Sequence, residues 1–504
     1  MSESAQVRAD RYGNWMRPSS AGLFGLSLAA LIVAGGGVVF AMLFMVSGKW
    51  QGMLVVLGLT AAVVLIGFVR FGGRTLAGKL TDWVSLARRR ARGETLYVTG
   101  ALSTLPPEVA ERLPGVLLDV ETVSGSDGLG RRYSLLHHKA VGQLAAVFGC
   151  APNGAAMQDQ AVVNGQVANF GQWVSSLSVE DGLTGATIVV DSASESSAGM
   201  VQAIKDTYVE SAPEFASQVL GAAADTLPGR TSTVNVYATM VYDVETLAGS
   251  KNDLDAAVAE VAARMPSTST SLASAGGNAV TPLVEHELSQ IAELAYQPSR
   301  DQEMALDALE GLTVPRSWEH AGPEFFDDSA GRIVRHDGVA SATVMMTVPP
   351  QSFIHARSFD ALFGPNPKFL RKRVAIFYRP VDPGRGARTV DQQVKNAQWR
   401  MDTRRSRPTA YDRAARAVAE KTEEELAAGA RLSMFSMMVT VTFADEEKAQ
   451  REALHQLKML MTPLMMEHRF VEHAGSAAFH ITLPFGVLPW RYSAKPVWLE
   501  GAMD

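Results

Sequence analysis

Two uncharged apolar runs, Leu23–Val46 and Met53–Val69, stand back to back near the N-terminus with only Ser47–Gly52 between them. About 17–25 apolar residues cross a bilayer as a helix, because in hydrocarbon every backbone polar group must be satisfied within the segment. A loop this short joins antiparallel neighbours, so the pattern predicts a membrane hairpin over 23–69. Beyond it the apolar positions turn periodic. Leu96–Val98, Val116–Val123, Tyr133–Leu136, Leu144–Phe148 and Ala186–Val190 read as strands, and Met157–Leu177 as a helix. Ser211–Glu214 opens another helix through Leu220, with a capping serine and an early proline. Over Thr231–Tyr242, Val234, Val236, Ala238 and Met240 alternate with Thr233, Asn235, Tyr237 and Thr239, the mark of a half-buried strand. Leu254, Val258, Val261 and Met265 stripe a helix that Pro266 should end, with Ser267–Asn278 as a loop.

A second stretch begins near Trp318. Arg332–His336 and Ser341–Val348 form a hairpin around Asp337-Gly338, and Phe353–Phe363 a short helix stopped by Gly364-Pro365. Val374–Tyr378 reads as a strand, Thr389–Asp402 and Tyr411–Ala428 as helices split by Pro408, and Leu432–Phe443 as a long strand. Asp445–His468 is a helix that Pro463 kinks or shortens, and Phe470–His473 with Ala477–Leu483 closes a hairpin. This alternation is the rhythm of a ferredoxin-like sandwich. The expected fold class is membrane-anchored α/β (α+β): a two-helix transmembrane hairpin followed by two mixed cytoplasmic units, the second ferredoxin-like. The divisions are a cytoplasmic segment over 1–22, the hairpin over 23–69, a basic juxtamembrane helix over 70–93, and units over 94–315 and 316–504. No repeat of solenoid type is evident.

Charge orients the hairpin. Arg8, Arg11 and Arg17 precede it, and Arg70, Arg74, Lys79, Arg88, Arg89, Arg90 and Arg92 follow it, whereas the loop offers Lys49 alone. Short flanks rich in Lys and Arg stay cytoplasmic, so both termini are expected inside a two-pass inner-membrane protein. Trp15 and Trp50 sit where indole rings favour the interface. The basic residues after the second span face anionic headgroups. Ala30, Ala34, Gly37 and Ala41 share one face of the first span; the close approach they permit serves either the second span or a homo-oligomer. A net charge of −6 argues against a general nucleic-acid binder, leaving nucleic acid as an indirect partner only. Cys150 is the sole cysteine, which rules out an intramolecular disulfide and a Cys-based zinc site.

Candidate chemistry is sparse. Gly73-Arg-Thr-Leu-Ala-Gly78-Lys79 matches seven positions of a phosphate-binding loop, but Leu80 stands where Ser or Thr would hold magnesium, and the segment follows a membrane helix rather than a buried strand. His137-His138 point to opposite faces of a strand, and His455, His468, His473 and His480 lack metal-binding spacing. No nucleophile elbow occurs. No catalytic, cofactor or metal residue is therefore expected. Two basic clusters, Lys368, Arg371, Lys372 and Arg373, and Arg400, Arg404, Arg405 and Arg407, are either solvated faces or contacts for an acidic partner or phosphate backbone. Met459, Met461, Met465 and Met466 serve core packing or an adaptable groove.

Arg11-Tyr-Gly-Asn-Trp15 with Arg17-Pro18, followed at once by the hairpin, resembles the N-terminus of an actinobacterial membrane protein family associated with conjugation. The hairpin is similar to the PrgI-family module, itself like the small hairpin subunit of type IV secretion systems. The resemblance continues through Ala168–Trp173, Arg371–Val374 and Tyr378–Pro383. The second unit resembles the N-terminal, non-catalytic domain of the large transfer ATPase, down to Phe479–Pro484. Walker motifs would follow that domain, and the chain read here stops at Asp504. The resemblance implies a scaffold subunit that anchors or recruits a separate transfer ATPase beside other secretion-channel membrane subunits. An EccE-type subunit of type VII secretion, with two N-terminal spans and a cytoplasmic domain, is the alternative. A membrane-tethered nucleotide hydrolase using Gly73–Lys79 is the third.

Overall fold

The computed structural model describes residues 12–13, 28–68, 70–71, 74–99, 103, 106–110, 112–154, 158–194, 213–226, 232–310, 316–350, 353–354, 358–403 and 409–492. Arg8, Arg11, Trp15, Arg17, Arg404, Arg405, Arg407, Pro408 and the helix start at Ser211 lie outside them. The described residues form two compact units, one from Thr95–Gly386 and Ala428–Arg491, the other from residues 28–94 and Ala387–Ala427.

The first unit is built on one antiparallel sheet. Its strands are β1 (Leu96–Val98), β2 (Val120–Ser126), β3 (Arg132–His138), β4 (Gln143–Ala151), β5 (Leu183–Ser194), β6 (Ser232–Asp243), β7 (Ala279–Pro282), β8 (Phe325–Asp327), β9 (Ile333–His336), β10 (Val339–Val348), β11 (Arg371–Pro380), β12 (Ser433–Ala444) and β13 (Glu467–Phe470). The spatial order is β1-β8-β9-β10-β12-β11-β5-β6-β4-β3-β2, with β7 beside β4 and β13 beside β10. The units expected over 94–315 and 316–504 therefore share a sheet. Arg371 to Tyr378 of β11 pair with Ala193 to Ala186 of β5, and this ladder joins them. Each strand would otherwise present a row of unpaired N–H and C=O groups, and pairing satisfies both rows.

The sheet contains an internal repeat that the amino-acid pattern does not reveal. On one side of the β5–β11 seam the chain runs β3, β4, α4 (Gln160–Ser176), β5, α5 (Glu214–Thr226), β6, α6 (Leu254–Leu272), β7, α7 (Glu285–Tyr296). After α8 (Arg300–Leu309) it runs β9, β10, a helical turn at Asp360–Phe363, β11, α9 (Pro383–Thr403), α10 (Ala410–Ala427), β12, α11 (Glu447–Met461), β13, α12 (Gly475–Ile481). Strand order is β7-β4-β6-β5 in the first half and β13-β10-β12-β11 in the second, the same split arrangement. β6 and β12 are both 12 residues long. The match reaches single hydrogen bonds: Leu283 N donates to Val147 O at 2.9 Å, and Val471 N to Thr343 O at 2.9 Å.

Each half fills one face with its own helices. Trp173, Val261 and Met265 of α4 and α6 pack with Ala238, Met240 and Phe148, and Ala453, Leu457 and Met461 of α11 with Val344, Val439 and Val441. The opposite face is covered by exchange. His336 of the second half bonds through Nδ1 to the carbonyl of Tyr296, at the end of the first half's α7. His138 of the first half bonds through Nε2 to the carbonyl of Phe485, beyond the second half's α12, at 2.7 Å. Thr239 donates to Pro484 O at 2.7 Å. Gly486 (φ +77°) admits the crossing segment against Ala145, where a Cβ would collide. The second half of the β6 face read as polar is thus interior: Thr239 is fully buried and Tyr237 nearly so, while Asn235 stays exposed.

Three local expectations change. Pro266 lies inside α6, and the helix continues to Leu272 because Met265, Thr268, Ser269 and Leu272 are buried; tertiary packing outweighs the lost backbone bond. Ala477–Leu483 is not a strand, since α12 occupies Gly475–Ile481. Pro463 sits in a 3₁₀ turn after α11, and β13 follows.

Burial holds His138 down to about 4, and His336 and His480 down to about 3, from an ordinary 6.5; carbonyl hydrogen bonds offset only part of this. The folded state keeps neutral rings, so the unfolded chain takes up protons first. This contribution is complete above about pH 6.5 and is lost as pH falls toward 4. Denaturant titration should therefore give a lower midpoint at pH 5 than at pH 7. His138→Gln, which offers an N–H without a titrating ring, should make that fall shallower.

Candidate functional site

α1 (Leu28–Val46) and α2 (Trp50–Phe68) are 19 residues each, uncharged, and joined by three residues. The joint is a Schellman turn: Gly48 (φ +76°) donates to Met45 O at 3.0 Å, and Lys49 N to Phe44 O at 3.0 Å. Ala34, Gly37 and Ala41 lie on the less exposed face of α1, with Ala41 2% exposed, and a Cβ on Gly37 would collide with Thr60 of α2. Gly52 packs in the same way against Phe44. The small residues thus let two helices of one hairpin approach closely. Of Ala30 only the backbone is described. Outward, both helices are open: Phe40, Leu43, Met45, Val55 and Leu59 are each more than half exposed. Trp50–Gly67 is long and apolar enough to cross a membrane, whereas Ile32–Val46 is shorter.

After a two-residue ladder between Arg70–Phe71 and Arg74–Thr75, the chain forms α3 (Leu76–Ala91). This helix starts inside the phosphate-loop-like motif, in the stretch whose amides such a loop would leave open to phosphate. Lys79, Arg88, Arg90 and Arg92 are exposed or half-exposed surface residues, and Arg89 lies on the same last turn. The apolar residues Leu76, Leu80 and Trp83 stand among these basic residues. These three are spaced four and three apart and are 38%, 58% and 58% exposed, while Leu86 faces inward. The signal was the helical spacing, which charge obscured.

The cluster at 368–373 is not a docking surface. β11 is an interior strand, and Arg371, Lys372 and Arg373 are 5%, 1% and 1% exposed. Arg371 Nε and Nη2 grip the Asp191 carboxylate at 2.7–3.0 Å. Burial opposes the Arg371 charge, and Asp191 more than compensates, leaving its pKa above the usual value. Arg373 stacks over Phe479 at 4.5 Å, and burial lowers it to about 10. Lys372 donates to the Gly364 carbonyl and is lowered by burial to about 8. Only Lys368 reaches the surface, where it pairs with Glu452 at 2.7 Å. In the other cluster, the backbone of Arg400 lies in α9, and its companions fall outside the described residues.

Two clefts flank α7, one of about 300 Å³ with mixed lining (Ser124, Arg132, His286, Arg316) and a more polar one of about 220 Å³ (Glu293, Arg300, Glu324, Asp337). Glu293 is paired with Arg316 at 2.6 Å, and Glu285 accepts from Trp318 N at 3.0 Å. Among the described residues no group of His, Cys, Asp and Glu is placed to hold a metal. His137 is half-exposed on β3 while His138 is interior, on the opposite face of the strand. Met461 and Met466 belong to the core, and Met459 and Met465 are exposed. No family model matches the chain, and no curated protein does.

Removing one partner of a buried ion pair leaves the other charge stranded, at a cost of about 3–5 kcal/mol. Arg371→Ala should therefore lower the unfolding midpoint of the protein sharply. Lys368→Ala, which breaks an exposed pair, should leave the midpoint almost unchanged in the same denaturant titration.

Proposed function

We propose that the chain is a two-pass subunit of a bacterial inner membrane, with both termini cytoplasmic. It would serve as a scaffold in a type IV secretion or conjugation-like machine and recruit a separate transfer ATPase. The observation that carries this reading is the apolar helix pair α1–α2, whose outward side chains are exposed while its inward face is closed by small residues. Exposed apolar area on this scale is costly in water and suits lipid. Basic residues after the second helix supply the orientation.

The soluble unit supports a binding role. Its strand order β13-β10-β12-β11, with a helical turn after the first strand and α11 after the third, fits a ferredoxin-like unit, and the first half has the same strand order. Of its buried charges, Arg371 is paired with Asp191 and Glu293 with Arg316, and Arg373 stacks on Phe479; its two clefts beside α7 are small and open. The conjugation assignment itself rests on the resemblance of Arg11–Trp15, Ala168–Trp173 and Tyr378–Pro383.

Topology is tested with Cys150→Ser as background. Ser47→Cys, in the turn between α1 and α2, should react with an impermeant maleimide in intact cells, and Ser178→Cys only after lysis. Labelling of both, or of Ser178→Cys alone, would overturn the orientation. Partners are tested by purifying the tagged protein from its native host after mild crosslinking. Recovery of a transfer ATPase with channel subunits is the expected result. Type VII core components, or the protein alone, would contradict it.

A further inference from the structure

α3 carries two kinds of residue that a helix in water has little reason to combine. Leu76, Leu80 and Trp83 make an exposed apolar stripe, continued by Ala87, while Thr81 and Ser85 hold the opposite side. The helix has four basic residues, Lys79, Arg88, Arg89 and Arg90, against one acid, Asp82. It begins eight residues after α2 ends, so its first turn stays within about 28 Å of that end even if the link is fully extended. Whatever medium covers the exposed sides of α2 is within reach of this stripe.

We propose that α3 lies in the plane of the membrane surface. Leu76, Leu80 and Trp83 sink to the boundary between headgroups and acyl chains, and Lys79 and the last-turn arginines meet anionic headgroups. This rests on the reading that α1 and α2 span a bilayer. Three observations select lipid as the occupant over a protein groove. The stripe is tethered to a span whose apolar sides are open. The charge is one-sided and matches an anionic leaflet. The stripe includes a tryptophan, whose amphipathic ring favours that depth. In this position α3 fixes where the cytoplasmic chain leaves the membrane.

The test uses the full-length Cys150→Ser protein in vesicles of phosphatidylcholine with phosphatidylglycerol. Spin labels are placed singly at Leu59→Cys, Leu80→Cys, Thr81→Cys, Trp83→Cys and Ser85→Cys. All five side chains are exposed, so the labels leave the packing intact. Accessibility to oxygen, which partitions into lipid, is compared with accessibility to a water-soluble nickel chelate. Positions 80 and 83 should favour oxygen several-fold over positions 81 and 85, and position 59 should favour it most. If 59 is in lipid and all four α3 positions are equally open to the chelate, α3 is not interfacial and the proposal fails while the span stands. If 59 itself is aqueous, the spanning reading fails first. Protection of 80 and 83 from both reagents would mean a protein cover and would also overturn the proposal. In phosphatidylcholine alone, 80 and 83 should move toward the chelate while 59 does not; no change would remove the headgroup half of the proposal.

Discussion

β5 and β11 are each the last strand of a four-stranded half, and the eight residue pairs between them turn two edges into one interior. Much else follows from that ladder. It makes β11 a central strand, so its side chains must be buried on both faces whatever their chemistry. It also sets Asp191 diagonally across from Arg371, so a charge that sheet formation buries finds its counter-charge on the partner strand. A buried pair of this kind gains little net stability over an apolar one, but it penalises any register in which the two charges miss each other. In a ladder where a one-residue slip would turn every side chain to the wrong face, that penalty reinforces the register.

The second consequence is the exchange of covering segments. Each half completes its helical face from its own sequence and borrows cover for the other face. Tyr296 is held by His336, and Phe485 by His138. These histidines occupy the last position of β3 and of β9, so the two clamps are the same device used twice. The aromatic cluster of Tyr296, Phe326, Phe479 and His480 fills the space where the two borrowed segments meet.

What could be read along the chain, and what could not, divides by range. The α1–α2 helix pair, the β9–β10 turn at Asp337-Gly338 and the existence of strand β6 depend on neighbours within a few residues, and each is visible in the pattern. The basic run 371–373 was misread because its meaning depends on Asp191, which is 180 residues away. The helix through Pro266 was misread because burial of its far turn, not propensity, decides its length. The repeat is hard to see along the chain because, apart from a few positions such as His138 and His336, equivalent positions share burial and hydrogen bonding rather than residue type. Leu144 corresponds to Ala340 and Tyr242 to Phe443; only volume and polarity must suit each core, so identity can drift while topology stays.

The α1–α2 pair follows a different packing rule. In α1 and α2 the small residues face inward and the large ones outward, the reverse of a water-soluble helix pair. Under the proposed placement in a bilayer, where no hydrophobic force drives helices together, the close contact at Gly37 and Gly52 is what would hold them. α3 changes over within a few residues, carrying large apolar side chains on one flank and charge on the next, the combination that the proposed place at a leaflet boundary would satisfy. The sheet unit differs, since its two halves cover its faces with their own chain. The division of labour is thus set by what each segment leaves uncovered: apolar helix flanks at one end of the chain, and a closed, charge-pinned sheet beyond it.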